Sequence, residues 1–220
     1  MCFSATANFV GSGVLGAIGV VTLTKVKHKR ELLFASLPTL FAIHQFIEGF
    51  VWLGLDGVLS PEVTHDMGAA FMLYAQGLLP FLMPLSVLLF EPDAKSRKRM
   101  LPFLVVGGLT TLFMLWALIA YPLQISVKSN SIVYINPATN NTFIAILYVI
   151  ATCGSLLFSK IKDMVIFGVA NLAILLVVME VKRYAFTSLW CAYAAIASVI
   201  ILAYFWKSSG DRPFQYAATM

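Results

Sequence analysis

The chain has 220 residues, of which 60% are hydrophobic and 11% charged, with a net charge of +5 at pH 7 and a mean hydropathy of +0.88. Apolar stretches and short connections account for almost the whole length, which leaves no room for a soluble domain. The positive charge would suggest nucleic acid in a soluble protein, but here the basic residues collect at the ends of apolar segments, so the expected partner is the lipid bilayer and not nucleic acid.

In chain order, apolar stretches run over 8–24, 33–55, 67–90, 101–121, 142–158, 164–180 and 187–206, each close to the roughly 17–25 residues that cross a bilayer as a helix. The fold class read from this pattern is all-α: a polytopic, seven-transmembrane-helix bundle forming a single domain over 1–207, followed by a tail over 208–220. Twelve basic residues fall on alternate connections: Lys25, Lys27, Lys29 and Arg30; Lys95, Arg97, Lys98 and Arg99; Lys160 and Lys162; Lys207 and Arg212. Only Lys128, Lys182 and Arg183 belong to the opposite face. Cytoplasmic loops carry the excess of Lys and Arg, so the N-terminus is expected outside and the C-terminus and tail inside, in a plasma or inner membrane. Met1 to Asn8 lacks the basic start of a secretory signal, so the first stretch is expected to stay as a helix. Neither end carries a lipidation motif.

The first stretch carries Gly11, Ser12, Gly13, Gly16 and Gly19, a small-residue face that admits a neighbouring backbone. Pro38 sits in the second stretch and Pro80 and Pro84 in the third, where missing backbone donors predict kinks. The segment from Pro122 to Asn141 is polar and rich in turn residues and is read as a cap or flexible loop. Asn140-Asn141-Thr142 matches a glycosylation acceptor by chance, against the membrane. No internal repeat is visible.

Two acidic residues, Glu48 and Glu180, fall inside the stretches. On a helix at about 100° per residue, His44 and Trp52 stand about 40° from Glu48 and Gln45 about 60°, so the four share one face. An ionisable group at membrane depth is costly unless it is paired, hydrated or neutralised, so Glu48 should point into the bundle, as a proton carrier, a cation ligand or a general acid/base. A protonated glutamic acid that only fixes helix packing fits the same pattern. Tyr74 and Gln76 in the third stretch, Glu180 at the end of the sixth, and Trp190, Cys191 and Tyr193 at the start of the seventh fall at the same outer depth. Glu180 can instead pair with Lys182 or Arg183 beside Tyr184, and Trp52, Trp190 and Tyr184 also suit an interfacial aromatic belt. The inner half offers chiefly Ser86, Asn171 and Ser198, with Asn171 placed to extend a polar path inward. This asymmetry predicts a polar cavity facing outward.

Haem ligation by paired histidines is not expected, because His28 and His65 lie in connections and only His44 in a stretch. There is no His-x-x-x-His or Cys-x-x-Cys motif, no lysine in the seventh stretch for a retinal Schiff base, and no phosphate-binding glycine loop. No cofactor is assigned. Cys153 reads as a small buried apolar residue. Cys2 and Cys191 flank stretches that begin on the same side, where they could pair, share a ligand or remain two free thiols.

Met1-Cys2-Phe3-Ser4-Ala5-Thr6, Glu48-Gly49-x-x-Trp52 and Ser188-Leu189-Trp190-Cys191 together resemble a family of small, functionally uncharacterised multi-pass membrane proteins. The likeness covers the N-terminus and the first, second and seventh stretches. In that family glutamine often stands where His44 does, which leaves Glu48 and Gln45 as the stronger candidates. The resemblance implies that Cys2, Glu48, Trp52, Trp190 and Cys191 form one outer-side constellation, and it implies no activity. The leading expectation is a transporter or channel for a small solute, cation or proton that uses Glu48, with Gln45, His44, Trp52, Tyr74, Gln76, Asn171, Glu180 and Trp190 as candidate ligand-binding residues. An intramembrane enzyme with Glu48 as acid/base or metal ligand, and a receptor or membrane-complex subunit without transport activity, are the alternatives. The oligomeric state is not legible.

Overall fold

A computed structural model describes residues 4–128, 130–181 and 186–207, with the side chains of residues 174, 176–181 and 186–193 outside the description. Cys2, Lys182, Arg183, Tyr184 and the tail over 208–220 therefore lie outside the described residues. Over them the fold is mostly helical: α1 (Ala5–Thr24), α2 (Leu32–Leu55), α3 (Pro61–Met72), α4 (Leu79–Phe90), α5 (Ala94–Ala120), α6 (Thr142–Leu157), α7 (Lys162–Val181) and α8 (Phe186–Lys207). A π-helical segment over Leu73–Leu78 joins α3 to α4, so the described helices make seven rods, whose limits follow the seven apolar stretches to within a few residues except at the polar N-terminal turns of the third and fourth. Four of the rods, over residues 5–24, 29–55, 61–90 and 94–120, are long and apolar enough to cross a membrane.

Helix starts are set by side chains that satisfy free backbone donors. Ser4, Ser60, Asp93 and Asn141 accept from Ala7, Val63, Ser96 and Ile144. The small residues of α1 do what their size predicts. A Cβ on Gly19 would run into Thr39, one on Gly16 would touch Ala42, and Ser12 donates to the Ala42 carbonyl at 2.8 Å. Gly13 faces open space. Nearer its start, α2 carries Phe34, whose ring lies 5.2 Å from that of Phe90 on α4 and 6.4 Å from that of Phe167 on α7. Phe205 on α8 closes on Phe90 at 6.0 Å. This apolar core occupies the half of the bundle nearer the basic connections, where Lys25 at the end of α1 stands 4.5 Å over the Trp206 ring.

The connection between α5 and α6 departs from the all-α expectation: of the two readings of that segment, cap or flexible loop, the flexible loop is corrected by an ordered hairpin. Gln124–Lys128 (β1) pairs antiparallel with Ser131–Ile135 (β2), from Gln124↔Ile135 to Lys128↔Ser131, with Asn130 in the left-handed region at φ 57°. Ile125, Val127, Ile132, Val133 and Ile135 are β-branched, and such residues favour the pleated conformation. The flanking Asn and Pro residues conceal that signal in a reading by composition. Ile132 and Tyr134 join Trp52, Phe71 and Ala75 in a second apolar cluster at this end of the bundle.

Candidate functional site

The polar stripe on α2 lies inside the protein. Glu48 and Gln45 are 0% exposed, His44 2% and Trp52 6%. The antiparallel contact with α1 explains how a carboxyl and an amide fit at this depth: Gly49 has no side chain, and the Phe9 ring takes the space its Cβ would need. Phe9, Phe46 and Phe50 then form an edge-to-face triad, with centroids 5.1–5.5 Å apart, on the outer side of that contact.

His44 is held by rings from two other elements. Its imidazole stacks on Phe71 of α3 at 3.9 Å with an interplanar angle of 13°, and the Tyr74 ring lies 4.9 Å away. It also hydrogen-bonds the Phe71 backbone. Phe71 in turn stacks on Tyr134 of β2 at 4.7 Å and 19°. The hairpin thus ends a stack that begins on the same helix face as Glu48.

The π segment decides which residues of the third rod take part. Leu79 N–H bonds to the Tyr74 carbonyl five residues earlier, and π-turns of this kind are frequent at functional sites. Tyr74 faces α2, with Phe41 at 6.3 Å as its other ring neighbour. Gln76, two residues on and about 200° around the helix, faces away. It accepts from the Thr139 hydroxyl at 3.4 Å and lines a cleft with Met72, Gly77, Met114, Leu118, Asn136 and Thr139 that has room for roughly one water.

The sequence profile of a family of unknown function matches residues 1–217. The chain belongs to this family, DUF6629. Comparison with curated proteins and with solved structures finds no match.

In this DUF6629 member, the structure brings together His44, Gln45, Glu48, Trp52 and Tyr74, and places Gln76 in a separate cleft. Asn171 is 1% exposed on α7, in the half of the bundle nearer the basic connections. Glu180 ends α7 and Trp190 and Cys191 belong to α8, but their side chains lie outside the described residues, as does Cys2. The sequence predicts a polar cavity open outward; in the structure the α2 stripe is buried. Cys153 is buried and free, as its position suggests. Among the described residues no group of three or more His, Cys, Asp or Glu could hold a metal ion.

Asn8, Glu31 and Glu91 are buried polar residues outside the expected set. Asn8 is 0% exposed, next to the Phe9 that meets Gly49, and its Oδ1 has no hydrogen-bond partner among the described residues. An asparagine at the start of an apolar stretch was the available signal. Glu31 and Glu91 are also fully buried, although each sits in a connection where a carboxylate normally meets water. Glu31 accepts from the backbone N–H groups of Lys27 and His28. Glu91 accepts from the Ser159 hydroxyl at 2.7 Å, from Lys160 N–H at 3.0 Å and from Asp93 N–H at 3.3 Å. It ties the α4–α5 connection to the α6–α7 connection, and no spacing in the sequence announces that pairing.

Proposed function

We propose that this DUF6629 member is a seven-span integral membrane protein, N-terminus outside and C-terminus inside, that binds and moves a small solute, cation or proton through the buried face of α2, with Glu48 as the protonatable or ligating group. The membrane reading is supported by what the long helices expose. Leu101, Val105, Leu109, Leu112, Trp116 and Ile119 form an exposed stripe along α5, and 101–119 rises about 27 Å, the thickness of a bilayer's hydrocarbon core. Val10 and Val14 on α1, Ile166 and Val169 on α7, and Ile196, Val199 and Ile200 on α8 are exposed in the same way. Water would not tolerate so much contiguous apolar surface, and lipid does.

The observation that carries the solute-binding reading is the complete burial of a carboxyl, an imidazole, an amide and an indole on one face of an otherwise apolar helix. Groups this costly to desolvate are kept at membrane depth where they meet ions, protons or substrates. Gln45 and Tyr74 orient the bound species, and the π segment beside Pro80 and Pro84 supplies a point where the third rod can bend.

The test is a thermal-shift screen of the purified protein against monovalent cations, divalent cations, organic ammonium ions and neutral polar solutes, followed by flux of any stabilising species in proteoliposomes. Stabilisation and flux should both disappear in Glu48→Gln, which keeps the shape of the side chain and removes its ionisation. A Glu48→Gln protein with undiminished response would overturn the role of Glu48 and leave a carboxyl that only fixes packing.

A further inference from the structure

The buried stripe has no access in this conformation, so a solute or reagent reaches it only after some element moves. At the hairpin end, β1–β2 is the element that covers the stack on His44. It has two strands, and β1 is exposed along most of its length, an arrangement that holds only through what it docks on. Ile125 sits over α3 where Gly68 leaves a gap; a Cβ there would run into Ile125 and lie 3.7 Å from the Tyr134 ring. Tyr134 rests on Phe71, and Phe71 on His44. Just after β2, the Asn136 amide donates to the Ala117 carbonyl in the last turn of α5 at 2.9 Å and accepts from Ala138 N–H at 3.0 Å. The base of the hairpin is therefore fastened by hydrogen bonds, while its blade is held by apolar packing: the Tyr134 stack, the fit of Ile125 at Gly68, and the buried β2 side chains Ile132 and Val133.

We propose that the β1–β2 hairpin is a lid over the α2 stripe: it swings about its base at Asn136, lifts Tyr134 from Phe71, and frees Phe71 to leave His44. Aromatic faces suit such a latch, because they exclude water when closed and separate without breaking a hydrogen bond. The inference rests on the stripe being the site that solutes visit, and Gly68 is the residue that lets the lid seat.

The experiment reads access and needs no knowledge of the solute. In a background with Cys2, Cys153 and Cys191 replaced, a single cysteine is placed at position 45 and labelled with a membrane-impermeant maleimide in sealed vesicles of the hairpin-outward orientation. Tyr134→Ala and Gly68→Val should each raise the labelling rate by roughly five- to tenfold, the change in open population that losing one aromatic pair allows. A short bifunctional thiol reagent joining Gly68→Cys to Ile125→Cys, positions in contact between α3 and the blade, should lower it by a similar factor, and cleaving the linker should restore it. Size-exclusion profiles and unfolding temperatures close to the parent's separate lid opening from unfolding, and a protein that keeps only the buried Cys153 of α6 controls for general loosening. Labelling that ignores all three perturbations would show a fixed cap and overturn the proposal. Lid control of access with an unchanged solute response in Glu48→Gln would sink the Glu48 reading and leave the lid standing.

Discussion

The hydroxyl of Tyr148 donates to the carbonyl oxygen of Ala75 across 2.8 Å, and this bond fastens α6 to the turn where the third rod leaves α-helical geometry. In an α-helix that carbonyl would accept from residue 79, but Leu79 N–H bonds to Tyr74 instead. In the π register it would accept from residue 80, which is a proline and has no N–H. Both local donors are lost, and the tyrosine of another helix replaces them.

Tyr148→Phe should therefore cost about 1–2 kcal/mol of stability, the range for a buried hydrogen bond whose acceptor is left alone. Pro80→Ala, which returns an N–H to the turn, should lower that cost. Thermal unfolding of the wild type, both single variants and the double variant measures the coupling. Additive effects would show that the tyrosine does not serve this carbonyl.

Gly107 and Gly13 should respond oppositely to alanine. A methyl group at Gly107 would run into the Pro80 carbonyl oxygen, so Gly107→Ala should destabilise by about 1–3 kcal/mol through separation of α4 and α5. Gly13 has nothing within 4 Å of its position, and Gly13→Ala should be neutral or stabilising by up to about 1 kcal/mol. Unfolding temperatures of the two variants decide.

Acid should weaken the basic end through Asp93. Its carboxyl is lowered from an ordinary 3.8 to about 2 by the Ser96 N–H, the Ser96 hydroxyl and Lys160, whose ammonium stands at 3.2 Å. A folded-state value below the unfolded one means the contribution is fully present above about pH 4 and is lost as pH falls through about 2. The difference in unfolding temperature between the wild type and Asp93→Asn should be constant from pH 7 to about 5 and shrink below about 4. A difference that stays constant down to pH 2 would show that the carboxyl is not held ionised.

Reporters fused after residue 220 and before residue 1 should report opposite compartments, with the C-terminal one cytoplasmic. The charge bias and the seven passes proposed above both require it. Both ends in one compartment would mean that one rod does not cross, and the inside and outside assigned to the bundle would have to be redrawn.

The existence of the helices was legible from the sequence alone, because a helix in apolar surroundings needs an uninterrupted apolar run; their starts were less so, since the apolar runs begin at 8, 67 and 101 while Ser4, Ser60 and Asp93 cap the helices several residues earlier. The common face of His44, Gln45, Glu48 and Trp52 was legible for the same reason, since helical spacing alone sets it. That the chain belongs to an uncharacterised family agrees with the resemblance read from the sequence. What the rods do to one another was decided only in three dimensions. The π-turn after α3 is a response to Pro80 and Tyr148, and the two residues expected to act together divide there: Tyr74 turns to α2 and Gln76 to Asn136 and Thr139. Glu31 and Glu91 look like solvated loop carboxylates in sequence; burial follows from backbone donors that arrive from their own turn in one case and from a connection about seventy residues away in the other. The hairpin is β-structured because its branched side chains have Phe71, Gly68 and Trp52 to pack on, and that surface exists only once α2 and α3 have come together.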